Sequence, residues 1–241
     1  MSGTGIGTCT VTATKAADAN YNATTATVNV TVSKAATTIT ISPPAAITLG
    51  QSVSVTATVA VTAPGSGTPS GTITISDGGA TAGDTCTITL PATSCSLTPG
   101  AAGNQTLTAT YAGDSSFTSS SASGSLAVGV RPTAITLTSS PNPSHVGELV
   151  SLTATVTLLP VTRSASDAGL TQAGDGVKVA AVPTGSVTFS DGATVLGTVP
   201  LDANGVATLA IWTLTQGAHT LSARYSGDAS AAVATVTAAQ Q

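Results

Sequence analysis

The chain has 241 residues, of which 41% are hydrophobic, 2% aromatic and 7% charged, with a formal net charge of −4. So few lysines and arginines exclude a nucleic-acid-binding surface, which needs clustered cations to neutralise phosphates. No apolar run approaches the ~18 residues of a membrane-spanning helix, and Met1-Ser-Gly-Thr-Gly has neither the basic nor the apolar region of a signal peptide.

In chain order, residues 8–14 and 26–32 read as two strands around a turn at Asp18-Ala-Asn20. Residues 37–42 open a longer series and stop at Pro43-Pro44, because proline removes ladder donors. Strands follow at 52–61 and 71–76, the latter ending in the turn pair Asp77-Gly78, then at 85–90, 94–97, 105–111 and 121–130. Alternating Val53, Val55, Ala57 and Val59 show the period of two that marks a half-buried strand. A second series matches the first: 135–138 up to Pro141-Asn-Pro143, 147–156 against 50–59, and 183–192 against 69–78. Residues 85–90 with 94–97 are expected to pair as a hairpin, as are the runs flanking Asn204-Gly205.

One stretch occurs three times. Thr106-Leu-Thr-Ala-Thr-Tyr-Ala-Gly-Asp-Ser-Ser-Phe117 and Thr220-Leu-Ser-Ala-Arg-Tyr-Ser-Gly-Asp-Ala-Ser-Ala231 are close copies; Thr10-Val-Thr-Ala-Thr-Lys-Ala-Ala-Asp-Ala-Asn-Tyr21 is a looser one. Self-similarity at this spacing divides the chain. Residues 1–34 hold the last two strands of an incomplete unit, 35–130 a complete unit, and 131–241 a second complete unit with a long loop at 157–184. Seven short strands with regular turns are the signature of an antiparallel Greek-key sandwich of about 100 residues. With so few aromatics, the cores are expected to be built from Val, Ile, Leu and Ala. The links at 33–36 and 129–132 are short, which predicts end-to-end stacking, each unit adding about 35 Å.

Pro183-Thr-Gly-Ser-Val-Thr-Phe-Ser-Asp-Gly192, then Leu196-Gly-Thr-Val199, Leu201 to Leu209, and Gly217-Ala-His-Thr-Leu-Ser-Ala-Arg-Tyr-Ser-Gly-Asp228 resemble the bacterial Ig-like repeats of large surface and secreted proteins. Residues 35–130 carry a diverged copy. The resemblance implies tandem Ig-like sandwiches with stalk or adhesive roles, no catalytic site, and a location outside the cell or on its surface. Neighbouring repeats, identical subunits, or a surface glycan or protein are the partners it implies.

Cys86 and Cys95 align with Pro200 and Leu209, positions opposite each other if Asn204-Gly205 is a two-residue turn. They are expected to form a disulfide, which points to an oxidising compartment; two free buried thiols are the alternative. Cys9 aligns with Gln105 and His219 and has no partner in that scheme. Asp18, Asp77, Asp114, Asp191, Asp202 and Asp228 sit at turns, where Asp bonds its own backbone; calcium is the alternative reading, although no D-x-D-x-D loop is present, and no cofactor is expected. His145 and His219 read as surface residues, and nothing suggests a nucleophile or a carboxylate pair at working spacing. Trp212 counts as outward-pointing, at a covered rim or else as a stacking platform for sugar. Loop 157–184 carries Arg163, Asp167, Asp175 and Lys178, a candidate ligand contact against the plainer reading of a tolerated insertion.

The function expected is a non-catalytic spacer or fibre-forming segment, with a ligand-binding adhesin module as alternative. Residues 1–34 have an apolar face, Val11, Val28, Val30 and Val32, that a lone hairpin leaves uncovered. A remnant, or packing on the first full unit, ranks above donation to another molecule. Donation needs an incomplete acceptor, and the C-terminal unit ending Ala232-Val-Ala-Thr-Val-Thr237 reads as whole.

Overall fold

The computed structural model describes residues 6–79, 84–161 and 182–240 and is all-β, with no helix among the described residues. Two strands come first, β1 (Gly7–Lys15) and β2 (Thr24–Val32), paired antiparallel as a sheet of their own. Unit 1 then contains β3 (Thr37–Ser42), β4 (Ile47–Thr48), β5 (Val53–Val61), β6 (Thr72–Ser76), β7 (Thr85–Thr89), β8 (Ser94–Leu97), β9 (Gly103–Tyr111) and β10 (Ser120–Gly129). Unit 2 contains β11 (Thr133–Ser140), β12 (Val150–Leu158), β13 (Ser186–Asp191), β14 (Thr194–Pro200), β15 (Val206–Ile211), β16 (His219–Tyr225) and β17 (Ala234–Gln240).

Each unit is a sandwich of two sheets. In unit 1 the sheet β3-β5-β8 faces β4-β10-β9-β6-β7; in unit 2 β11-β12-β15 faces β14-β13-β16-β17. The alternation read from the sequence is what each core uses. Val53, Val55 and Ala57 point inward from β5, and Val150, Leu152, Ala154 and Val156 do so from β12, while their Thr and Ser neighbours face outward. Each Val, Leu or Ile taken fully out of water contributes roughly 1.5–3 kcal/mol, so the pattern alone fixes which face of a strand turns in.

Three expectations are corrected. The strand β4 is additional: Ile47 and Thr48 pair in parallel with Val128 and Gly129, and Ile47 and Leu49 pack against the core. Aromatics, though few, are core residues: Tyr111, Tyr225 and Phe189 are among the largest fully buried side chains. The two expected hairpins do not form. The strand β7 pairs with β6 and β8 with β5, so this connection crosses from one sheet to the other; β14 and β15 do the same through β13 and β12. Asn204-Gly205 does make a tight turn, with Gly205 at φ +75° and the Asp202 carboxylate accepting the amides of Asn204 and Val206. A turn signal reports only that the chain reverses. Which sheet each flanking strand joins depends on apolar partners distant in sequence.

Candidate functional surfaces

The ends of the sandwiches collect the polar groups. After β9 and β16 the chain turns at Asp114 and Asp228. Asp114 accepts the amides of Ser116 and Phe117 through one oxygen, and the amide and hydroxyl of Ser70 through the other. Asp228 repeats this with Ser230 and Ala231 on one side and Thr184 on the other. The hydroxyls of Tyr111 and Tyr225 donate to the carbonyls of the same two residues, Ser70 at 2.9 Å and Thr184 at 2.6 Å. In each unit the last turn is thus clamped to the segment just before β6 or β13. Burial alone would raise the Asp228 carboxyl, but the amides of Thr184 and Ser230 and the hydroxyls of both outweigh it and hold it well below the usual carboxylate range. Asp114, with the Ser70 hydroxyl as its strongest partner, is lowered in the same way. Burial, then the charge of Asp228, pushes the Tyr225 phenol up to about 12.

Asp114 and Asp228 therefore have both carboxylate oxygens occupied by the protein's own donors. The sequence showed the Asp and its own turn. It gave no spacing signal for the bond to Ser70 or Thr184, although both sit directly before the glycines of the aligned motifs, Gly71 and Gly185.

The residue six before each tyrosine ties down another loop. Gln105 donates from Nε2 to the carbonyls of Ala101 and Ala102, at 3.2 and 3.5 Å. His219 bridges Asp191 through Nδ1 at 2.6 Å and the Thr215 carbonyl through Nε2 at 3.0 Å. His219 is thus a half-buried staple rather than the surface residue expected, and both its ring nitrogens are engaged. The Thr215 carbonyl, then the Asp191 carboxylate, favour the imidazolium and raise its pKa. A raised folded pKa stabilises below the unfolded value, and that stability is lost as pH rises through the folded pKa. Unit 2 should accordingly melt at a lower temperature at pH 8.5 than at pH 5.5 by an amount that His219→Gln abolishes; identical pH dependence in the variant refutes the staple. Cys9 holds this same register position in β1, opposite Val30, and is exposed.

At the same end of unit 2 an open cleft of about 390 Å³ lies between the loop at Ser144, His145 and Val146 and the loop from Leu214 to His219. Beyond the last pair of the β12–β15 ladder, Val150 with Ile211, stand Leu149 and Trp212, 53% and 66% exposed. Trp212 is outward, as counted, and not covered. Unit 1 places Ser52 and Thr98 at these two positions, hydrogen-bonded at 2.7 Å. Arg163, Asp167, Asp175 and Lys178 lie outside the described residues. The described flanks of their loop, around Leu159 and Val182, meet unit 2 at the opposite end of β15 from Trp212: Val182 lies beside Gly205. Trp212 and that loop's attachment points do not form one patch.

The Cys86–Cys95 disulfide is present, with Cα atoms 5.9 Å apart. It joins β7 to β8 and so ties the two sheets together, where a bridge within one hairpin was expected. Register also moves the alignment. Cys86 opposes Ile75 as Gly197 opposes Phe189, so Gly197 rather than Pro200 is its counterpart. In unit 2 the Leu209 methyls sit 3.1 Å from where a Gly197 Cβ would be, so a leucine over a glycine fills the place of the bridge.

Two tandem sandwiches with this strand order are Ig-like modules. The family model for bacterial Ig-like domains (group 3) matches residues 39–131 and 137–241, and the chain belongs to that family. A search among curated proteins returns no match. Among solved structures the chain is similar to fibronectin(III)-like modules of Clostridium thermocellum CbhA, at 20% identity, covering 83% of this chain and 92% of that one with a TM-score of 0.29. It is also similar to the D00-D0 domain of intimin, at 14% identity, 84% and 98% coverage and a TM-score of 0.29. A putative membrane anchored protein from Corynebacterium diphtheriae matches at 14% identity over 96% of this chain and 58% of that one, with a TM-score of 0.32. None of these scores supports a shared function.

Proposed function

We propose that the chain is a non-catalytic spacer segment of a bacterial surface or secreted protein, its units held in line by linkers with almost no free residues. The observation that carries this is how the links are bonded. Ala35 is zipped to the last turn of unit 1, its amide donating to Ser116 and its carbonyl accepting from Thr118; Arg131 does the same in unit 2 with Ser230 and Ala232. The strand β10 runs to Gly129, so Val130 alone separates it from the bonded Arg131. Beside this junction, the tip of the unit 1 loop at Gly50 comes close to Val161 and Arg131. Linkers this short restrict rotation between modules, whereas flexible ones need several free residues. An extracellular location accords with the disulfide, which the cytosol would reduce. Calcium is no part of this reading.

Spin labels placed on one exposed residue of each unit should give a narrow distance distribution that broadens when Gly-Ser-Gly is inserted after Val130. A native distribution as broad as that of the insertion variant would overturn the spacer reading. The adhesin alternative rests on one feature, the long excursion between Leu158 and Ser186 where unit 1 needs only residues 62–71. Glycan-array binding that disappears when 163–178 is replaced by 62–68 would favour it instead.

A further inference from the structure

The outer face of the sheet β11-β12-β15 is a field of hydroxyls with one apolar corner. Past the ladder's last inward pair, Val150 with Ile211, alternation carries Leu149 and Trp212 outward, and both are exposed. The next outward row holds Ser140, Ser151 and Ala210; the row after it holds Thr138, Thr153 and Thr208. No residue of the three strands is charged, and Glu148, beside Leu149 in the chain, is bonded to His145. The fold itself does not require an indole here, since unit 1 fills the same two positions with Ser52 and Thr98, bonded to each other. Nor is a strand missing from this face: the equivalent sheet of unit 1, β3-β5-β8, also has three strands, and β17 belongs to the opposite sheet.

We propose that Trp212 and Leu149 form a binding site for a neutral β-linked glycan, with the indole stacked on one sugar ring. In a pyranose whose hydroxyls are all equatorial, the axial C–H bonds point off both faces and the hydroxyls point to the sides. Such a ring lies flat on an aromatic plane, which the indole supplies. The hydroxyls of Ser140 and Ser151, in the row beside it, can each donate and accept towards the ring's own. Ala210, two residues before Trp212 on the same face, leaves room between the indole and that row. Charge argues against an anionic ligand, which would lose water to a face that offers it no cation. Size argues against a protein. The two side chains expose roughly 250 Å² of apolar surface, about half of the ~500 Å² that each partner brings to a ~1,000 Å² interface. One indole is enough for one sugar ring. The site goes beyond the spacer reading and uses none of residues 163–178.

Trp212 is the chain's only tryptophan, so its fluorescence reports on this site alone. Titration of the full chain with cellohexaose, xylohexaose or chitohexaose should, for at least one of them, shift the emission to the blue saturably and shield the indole from acrylamide. The matching soluble polysaccharide, cast into a native gel, should retard the chain. Leu149→Ser with Trp212→Thr installs the pair that unit 1 already accommodates, so the fold is kept, and it should weaken retardation at least tenfold. Polygalacturonate, an anionic glycan, should not retard the native chain. No shift with any of the three oligosaccharides, or retardation by polygalacturonate as strong as by the neutral polymer, would overturn the proposal. So would a blue shift on concentrating the chain without sugar, the mark of a second copy on the patch. Retardation that survives the double variant but is lost when 163–178 is replaced by 62–68 would place the glycan on the long loop instead.

Discussion

Replacing Tyr225 with alanine should remove about 4 kcal/mol from unit 2, the largest effect expected from any single side chain here. The ring is fully buried in the second core, and its hydroxyl donates to the Thr184 carbonyl at 2.6 Å. Truncation therefore leaves a cavity the size of an aromatic ring and strips a carbonyl of its donor. Tyr225→Phe keeps the ring and loses only the donor, which should cost about 1 kcal/mol. In calorimetry a module of this size shifts by about 4–8 °C per kcal/mol, so the alanine variant should lower the unit 2 transition by roughly 15–30 °C and leave unit 1 where it was. Equal losses from the two variants would show that the hydroxyl, not the packing, holds the module; a drop in both transitions would show that the units do not melt independently.

Removing the bridge with Cys86→Ser and Cys95→Ser should cost unit 1 about 2–3 kcal/mol. The cysteines are nine positions apart, so the loop they close is short, and the chain-entropy gain is set by that length. The corresponding fall in the unit 1 melting temperature is roughly 10–20 °C. Because β7 and β8 belong to opposite sheets, the loss should appear as easier separation of the sheets, read as faster amide exchange in both strands. Non-reducing peptide mapping of protein from an oxidising compartment should show the two cysteines joined; free alkylation of both in the native protein would rule the bridge out.

These two cases mark where the sequence was sufficient and where it was not. Alternation such as Val53, Val55, Ala57 fixed the strands and their inward faces, because apolar burial acts at a period of two along one strand. The recurrence of a strand ending in an Asp turn marked the repeat, whose two full copies fold as two sandwiches. The pairing of Cys86 with Cys95 was expected across a hairpin aligned on Asn204-Gly205; the bridge forms, but between strands of opposite sheets. What the sequence did not contain was which sheet each strand joins. Asn204-Gly205 promised a hairpin, yet β14 and β15 part company there, β14 pairing with β13 and β15 with β12 on the opposite sheet. The same holds for the sites. The turn aspartates were visible, but their second bonds, to Ser70 and Thr184 forty-four residues away, exist only once the sandwich closes. The union of His219 with Asp191 and the separation of Trp212 from the loop beginning at Leu159 were settled by strand placement too. Periodicity is a property of neighbours along the chain, whereas a site is made of residues that only packing brings together.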